Sequence, residues 1–225
     1  MTDSQSGTDP AASKRQARRR NRRKQLIAAS RELFLSKGFG ETSVSAVVRS
    51  AGVAQGTFYL YFQSKADVLL YMRAEVLEDY LKAFQSAFST SSRADARLVA
   101  GIAAIQVAVD RNRPIIRVFR EATTSHELSR VWIEGREALA APLSALLTEG
   151  VEDGSFHLDD PRMSAMLTLS FYDDLLYEAF EYATPAGPAQ TFRASVAFVL
   201  RGLGVKEARI AALVAASPQA SEPCP

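Results

Sequence analysis

Gln55, Thr57, Tyr59 and Tyr61 are interleaved with Phe58 and Phe62 in the stretch AQGTFYLYFQSK, Ala54 to Lys65. On a short helix the two phenylalanines can turn back to a core while the amide, hydroxyl and phenol groups face outward. A polar and aromatic surface on a short helix, held by an apolar scaffold, suits a reader of the DNA major groove. Enzyme constellations are missing elsewhere in the chain. The histidines are His126 and His157, the lone cysteine is Cys224, and there is no G-x-S-x-G, no G-x-x-x-x-G-K and no Cys/His metal spacing. His157-Leu158-Asp159-Asp160 has metal-binding composition, but a turn before a helix cap explains it equally well. Neither metal nor cofactor is expected. An enzyme would have to draw acid–base chemistry from carboxylates such as Asp173.

The elements that must position the outward residues are a helix, a tight turn and a second helix. Val44, Val47, Val48 and Ala51 recur at helical spacing, which predicts a helix over about 43–50. Gly52 can take the left-handed conformation an inter-helix turn requires, and a short helix over about 54–60 follows. Upstream, a helix with Leu26/Ile27, Ala29/Ser30 and Leu33/Phe34 as its buried stripe is expected to end near Ser36, with Gly38-Phe39 as a Schellman ending.

Gly52-Val53, Gly56-Thr57-Phe58-Tyr59, Tyr61-Phe62 and Lys65, preceded by Lys37-Gly38-Phe39 and Thr42-Ser43-Val44, resemble the signature of the TetR/AcrR family of one-component transcriptional regulators. The resemblance covers about residues 24–72. Its usual form has Ser or Thr before the recognition helix, where this chain has Ala54, which cannot cap it. What the resemblance implies is a ligand-responsive DNA-binding regulator, most often a repressor. It implies phosphate contacts from Thr42 and Ser43, base contacts from Gln55 and Thr57, close approach at Gly56, and phosphate contacts from Tyr59, Tyr61 and Lys65. Packing against the first helix is an equal reading for Tyr59, and Leu60 suits a thymine methyl or packing alike.

Charge supports a nucleic-acid module joined to something that does not touch nucleic acid. Residues 1–73 carry 13 Lys/Arg against 5 Asp/Glu, whereas 74–225 carry 14 against 20. Residues 1–13 read as disordered, and KRQARRRNRRK places eight positive charges between Lys14 and Lys24. The run is either a solvated tail or an arm that neutralises phosphates; placed before a helix-turn-helix, the arm is favoured, with Arg19, Arg20, Arg22 and Arg23 as contacts. The alternative is a helical binding or enzymatic domain whose basic N-terminus meets acidic partners. No apolar run approaches the roughly 20 residues that span a bilayer, and no secretory segment opens the chain, so no membrane partner and a cytoplasmic protein are expected.

Beyond this module every segment reads as helix, and the fold class is all-α. A three-helix helix-turn-helix domain (24–70, after a disordered basic arm, 1–23) precedes a larger helical ligand-binding and dimerisation domain (71–210) and a tail (211–225). Ser64-Lys65-Ala66-Asp67 fits a variant capping box opening a long helix to near Phe88. Further helices are expected over 93–110, 114–123, 126–151 with a kink at Pro142, 161–183 and 190–204, with 206–216 extending or following the last. Phe84, Phe88, Phe119, Trp132, Phe171, Asp174 and Tyr177 are candidates to line a largely apolar effector cavity. Of the pair Asp173-Asp174, one can be exposed while the other faces a cavity or an interface, since neighbours on a helix point about 100° apart. The resemblance further implies a homodimer on a near-palindromic operator, paired through its last two long helices. Phe171, Leu175, Phe192, Val196, Val199 and Leu203 are the candidate interface.

Overall fold

The computed structural model describes the backbone of residues 10–87, 93–122, 126–181 and 187–217 and, within these, the side chains of 14–87, 93–122, 137–175 and 187–217. Among the described residues there are helices and no strand. The chain divides into two compact units, residues 1–73 with 118–124, and residues 74–117 with 125–225.

The first unit is built on α1 (Pro10–Lys37), α2 (Val44–Ser50), α3 (Gln55–Tyr59) and the first turns of α4 (Lys65–Ser86). Helix α1 departs from expectation, because the basic stretch from Pro10 to Arg23 is helical and not a disordered arm. Pro10 suits a first helical position, and Ala, Arg, Lys and Gln, with no glycine between Pro10 and Gly38, favour continuation. Gly38, at φ 82°, ends α1, but with the single bond of an αL ending where a Schellman pair was expected: its N–H donates to the Phe34 carbonyl at 3.0 Å while Phe39 packs on Phe34 at 5.3 Å between ring centroids. The Ser43 side chain caps α2 by accepting from Ala46 N–H at 3.1 Å. Gly52, at φ 64°, turns the chain toward α3, with Val53 N–H on the Val48 carbonyl at 3.0 Å. Leu26, Phe34, Val47, Phe58, Phe62 and Met72 are among the residues buried in this unit. Ser64 caps α4 by accepting from Asp67 N–H at 3.2 Å, and Asp67 reaches back to Gln63 N–H at 2.7 Å.

Helix α5 (Ala94–Ala122) lies in the second unit as far as Arg117; it is a single helix where the sequence predicts two, and it runs through Pro114. Proline in a helix interior costs about 3 kcal/mol. No cap or glycine interrupts Arg111-Asn112-Arg113, and Val109, Ile115 and Ile116 are all buried. At roughly 1.5–3 kcal/mol for each buried side chain, packing outweighs the missing bond. Then come α6 (His126–Glu152), α7 (Pro161–Glu181), α8 (Gly187–Gly202) and α9 (Glu207–Ala216). Asp160 caps α7 as expected, accepting from Met163 N–H at 2.9 Å. Helix α9 is separate from α8 and buries Ile210 and Leu213, so the tail cannot begin at residue 211. It is tied back by Arg209, which donates to both carboxylate oxygens of the buried Asp95 at 2.9 and 2.8 Å.

The expected dimer stripe on α8 lies inside this unit. Phe192, Val196, Val199 and Leu203 join the core with Leu98, Leu146 and Leu147; Val196 is 0% and Val199 5% exposed. A stripe that seals a protomer's own core cannot also face a partner. The outward apolar residues are others, with Met163 and Leu167 on α7 and Phe198 on α8 standing 56–63% exposed. Phe198 stacks on Phe171 at 4.8 Å. Phe171 and Leu175 are partly buried and continue the four-residue spacing of Met163 and Leu167.

Candidate nucleic-acid interface and interior cavity

Helix α3 turns Phe58 fully inward, packed at 5.8 Å on the buried Phe62. Its other face is outward: Gln55 and Gly56 are exposed, Thr57 is half-buried, and Tyr59 is 55% exposed with its ring edge-on to Phe58. Leu60 is also exposed and Tyr61 half-buried. Ala54 provides no side-chain cap. Nothing lies within 4 Å of where a Cβ on Gly56 would stand, so the fold itself does not demand glycine there. Ser43 is also exposed.

Two residues expected to touch phosphate, Lys65 and Thr42, have spent their donors within the protein, and a third, the exposed Arg23, is stacked on aromatic rings. The Lys65 ammonium donates to the carbonyls of Phe39, Gly40 and Thr42 at 2.7, 2.9 and 2.9 Å and sits 4.6 Å from the centre of the Phe39 ring. An ammonium has three protons, and all three are used. Thr42 is buried, and its hydroxyl donates to the Gly38 carbonyl at 2.8 Å. The Arg23 guanidinium lies over Tyr71 at 4.1 Å and near Phe62 at 5.6 Å, in cation–π contact across α1 and α4. Each of the three holds the frame on which α3 rests. The sequence signal for this was the carbonyl-rich turn between α1 and α2, which a nearby cation can cap. Arg19, Arg20 and Arg22 are exposed on α1, where helical spacing sets Arg15, Arg18, Arg19 and Arg22 along one face.

The second unit holds a cavity of about 730 Å³, counting the part open to solvent. Tyr80 and Phe84 of α4 line it, with Leu98, Ile102, Ile105, Gln106 and Val109 of α5, Leu139 and Leu143 of α6, and Thr168, Leu169, Tyr172 and Asp173 of α7. Phe84 is thus where expected. Of the pair left open by the sequence, Asp173 lines the cavity, and the candidate Asp174 is exposed and is not among the lining residues. Leu169, one turn before Asp173, marks the shared face. Phe119 falls in the first unit, and Phe171 packs toward Phe198. Phe88 and the side chains of Trp132 and Tyr177 lie outside the described residues. Burial pushes the Tyr172 phenol up to about 12, against the opposing hydrogen bond to Ser195, so it stays a neutral hydroxyl.

Residues 26–72 match the bacterial regulatory proteins of the tetR family, and residues 91–203 match the tetracyclin repressor-like C-terminal domain. The chain belongs to the TetR family. It is a ligand-responsive, DNA-binding transcriptional repressor. TetR regulators bind operator DNA and small-molecule effectors and are dimeric. This TetR chain is 27% identical over 153 residues to the fatty acid metabolism regulator protein of Bacillus subtilis (strain 168), spanning 67% of this chain and 79% of that one. It is 24% identical over 204 residues to the transcriptional repressor KstR2 of Mycolicibacterium smegmatis, spanning 81% and 91%. Among solved structures, RolR in complex with resorcinol shares the fold at a TM-score of 0.67 and 18% identity, covering 89% of this chain and 96% of RolR. Among the described residues, no helix is long and apolar enough to cross a membrane.

Proposed function

We propose that this protein works as a homodimer on a near-palindromic operator and leaves it when an apolar effector enters the cavity. The outward surface of α3 carries this reading, because its polar and aromatic side chains stand free of the core that Phe58 anchors. Gln55 and Thr57 are assigned to base edges, and Gly56 to close approach. Ser43, Tyr59, Tyr61 and the exposed Arg19, Arg20 and Arg22 are assigned to the DNA backbone. Lys65, Thr42 and Arg23 position that surface.

The exposed apolar face of Met163, Leu167 and Phe198, with the partly buried Phe171 beneath Phe198, supports pairing through α7 and α8, since a monomer would leave it in water. Two-fold pairing sets two recognition helices roughly 34 Å apart, one turn of DNA. Helix α4 starts shortly after α3 and carries Tyr80 and Phe84 in the cavity wall. An effector among α4–α7 that fits one tilt of α4 better would favour the dimer spacing that does not match DNA. The apolar lining supports a largely apolar effector, and action on DNA places the work in the cytoplasm.

The test is fluorescence anisotropy with DNA from upstream of the protein's own gene, beside light scattering. Wild type should be a dimer that binds; Leu167→Glu should be a folded monomer binding at least tenfold more weakly. A Leu167→Glu dimer bound as tightly as wild type would defeat the pairing proposed here.

A further inference from the structure

Position 101 of α5 belongs by its spacing to the cavity face. Leu98, Ile102 and Ile105 stand three before it, one after it and four after it, and all of them line the cavity. Gly101 is buried, yet it is not among the described lining residues. The Phe84 ring stands in its place. A Cβ built on Gly101 would fall 2.6 Å from two ring carbons of Phe84, and the three heavy atoms nearest to it all belong to that ring. Phe84 is 4% exposed and is itself part of the wall. The ring thus lies between the α5 backbone and the cavity, seated where a side chain at position 101 would otherwise project. Proline apart, glycine is the poorest helix former, so a glycine inside the continuous helix α5 works against the element that holds it. The close seat of the ring is what it provides. Carbon atoms pack at about 3.5–4.0 Å, so a methyl at position 101 would push the ring about 1 Å away from α5. The open space on that side is the cavity.

We propose that Gly101 is a specificity-determining residue for the effector: by seating the Phe84 ring against the α5 backbone it sets the width of the cavity, and with it the bulk of the molecule the cavity admits. This rests on the reading of the cavity as the effector site. Gly101 acts through Phe84 and does not itself touch the ligand.

N-phenyl-1-naphthylamine and 1-naphthol are apolar probes, uncharged at pH 7.5, that differ in bulk. Calorimetric titration of the full-length protein should show both binding to wild type. Gly101→Ala should bind the larger probe at least tenfold more weakly and keep 1-naphthol to within about threefold, since a tight apolar pocket discriminates by size on that scale. Phe84→Ala and the double variant Phe84→Ala/Gly101→Ala should bind the larger probe alike, to within about twofold, because without the ring the methyl has nothing to displace. Unchanged binding of the larger probe in Gly101→Ala, equal weakening of both probes, or a double variant as weak as Gly101→Ala would overturn the role of Gly101 and leave the cavity reading standing. If neither probe binds wild type, both fall. Should Gly101→Ala fail to fold, the double variant decides: it should fold and match Phe84→Ala, and its failure to fold beside a folded Phe84→Ala would place the clash elsewhere and overturn the proposal. Should Phe84→Ala fail to fold, the contrast between the two probes in Gly101→Ala decides.

Discussion

Gly56 is a residue whose value lies outside its own chain. With open space where its Cβ would stand, Gly56→Ala should fold normally and gain about 0.5–1 kcal/mol from lower backbone entropy in α3. The same methyl would face the duplex, so operator affinity should fall at least tenfold, roughly 1.4 kcal/mol. Denaturant melts and anisotropy titrations separate the two effects, and a variant that loses stability without losing affinity would contradict this role. Lys65 is the converse. Removing three charge-assisted hydrogen bonds in Lys65→Ala should cost on the order of 2 kcal/mol of stability. The slope of log affinity against log salt should stay as in wild type, because the Lys65 charge is spent on carbonyls and neutralises no phosphate. A slope lower by about one unit with an unchanged melting temperature would return Lys65 to the phosphates.

At the scale of elements, the basic half of α1 is a helix carrying its own repulsion. Arg15/Arg19, Arg18/Arg22 and Arg19/Arg23 stand one turn apart with like charge, each pair costing roughly 0.2–0.5 kcal/mol. Deleting residues 1–22 leaves Arg23 over Tyr71 and the buried stripe from Leu26 onward intact. The truncated protein should therefore fold, while its salt slope drops by about 0.9 for each phosphate that the arginines had neutralised. An unchanged slope would make the stretch a solvated helix end. The helix-turn-helix was legible in the sequence because its signals are local: Gly38, Ser43, Gly52 and Ser64 mark boundaries that the hydrogen bonds reproduce. What escaped was decided at a distance. Periodicity identified the apolar stripe of α8 but could not say whether a partner or the protomer's own α5 and α6 cover it. Pro114 reads locally as a break, yet the buried isoleucines after it keep α5 continuous. Asp173 and Asp174 are equivalent as letters, and only the placement of Leu169 assigns one to the cavity.

For the molecule as a whole, Asp95 and Arg209 join helices 114 residues apart. Burial alone would raise the Asp95 carboxyl, but hydrogen bonds and charge from Arg209 and Arg93 outweigh it and hold it below the ordinary carboxylate range. A carboxylate depressed in the folded state contributes stability above its unfolded value near 3.9, and that contribution is lost as pH falls through the lower folded value. Arg209→Ala should therefore destabilise the protein at pH 7 by about 3 kcal/mol, since it strips a buried carboxylate of its main partner. The gap to wild type should close in acid, below pH 4. Thermal melts from pH 7 to pH 3 check this, and a gap independent of pH would mean that α9 is held by Ile210 and Leu213 alone.

The bonds from Lys65 back to Phe39, Gly40 and Thr42 have a geometric consequence. They close the chain between those residues into a hoop, with α2 and α3 on its circumference. Closing a loop of that length is an entropic cost met once, during folding, and not again at each encounter with DNA. A hooped reading head does not deform in pieces. Any signal that reaches it must arrive as a change in where the head is carried, while the head itself keeps one shape on the operator and off it.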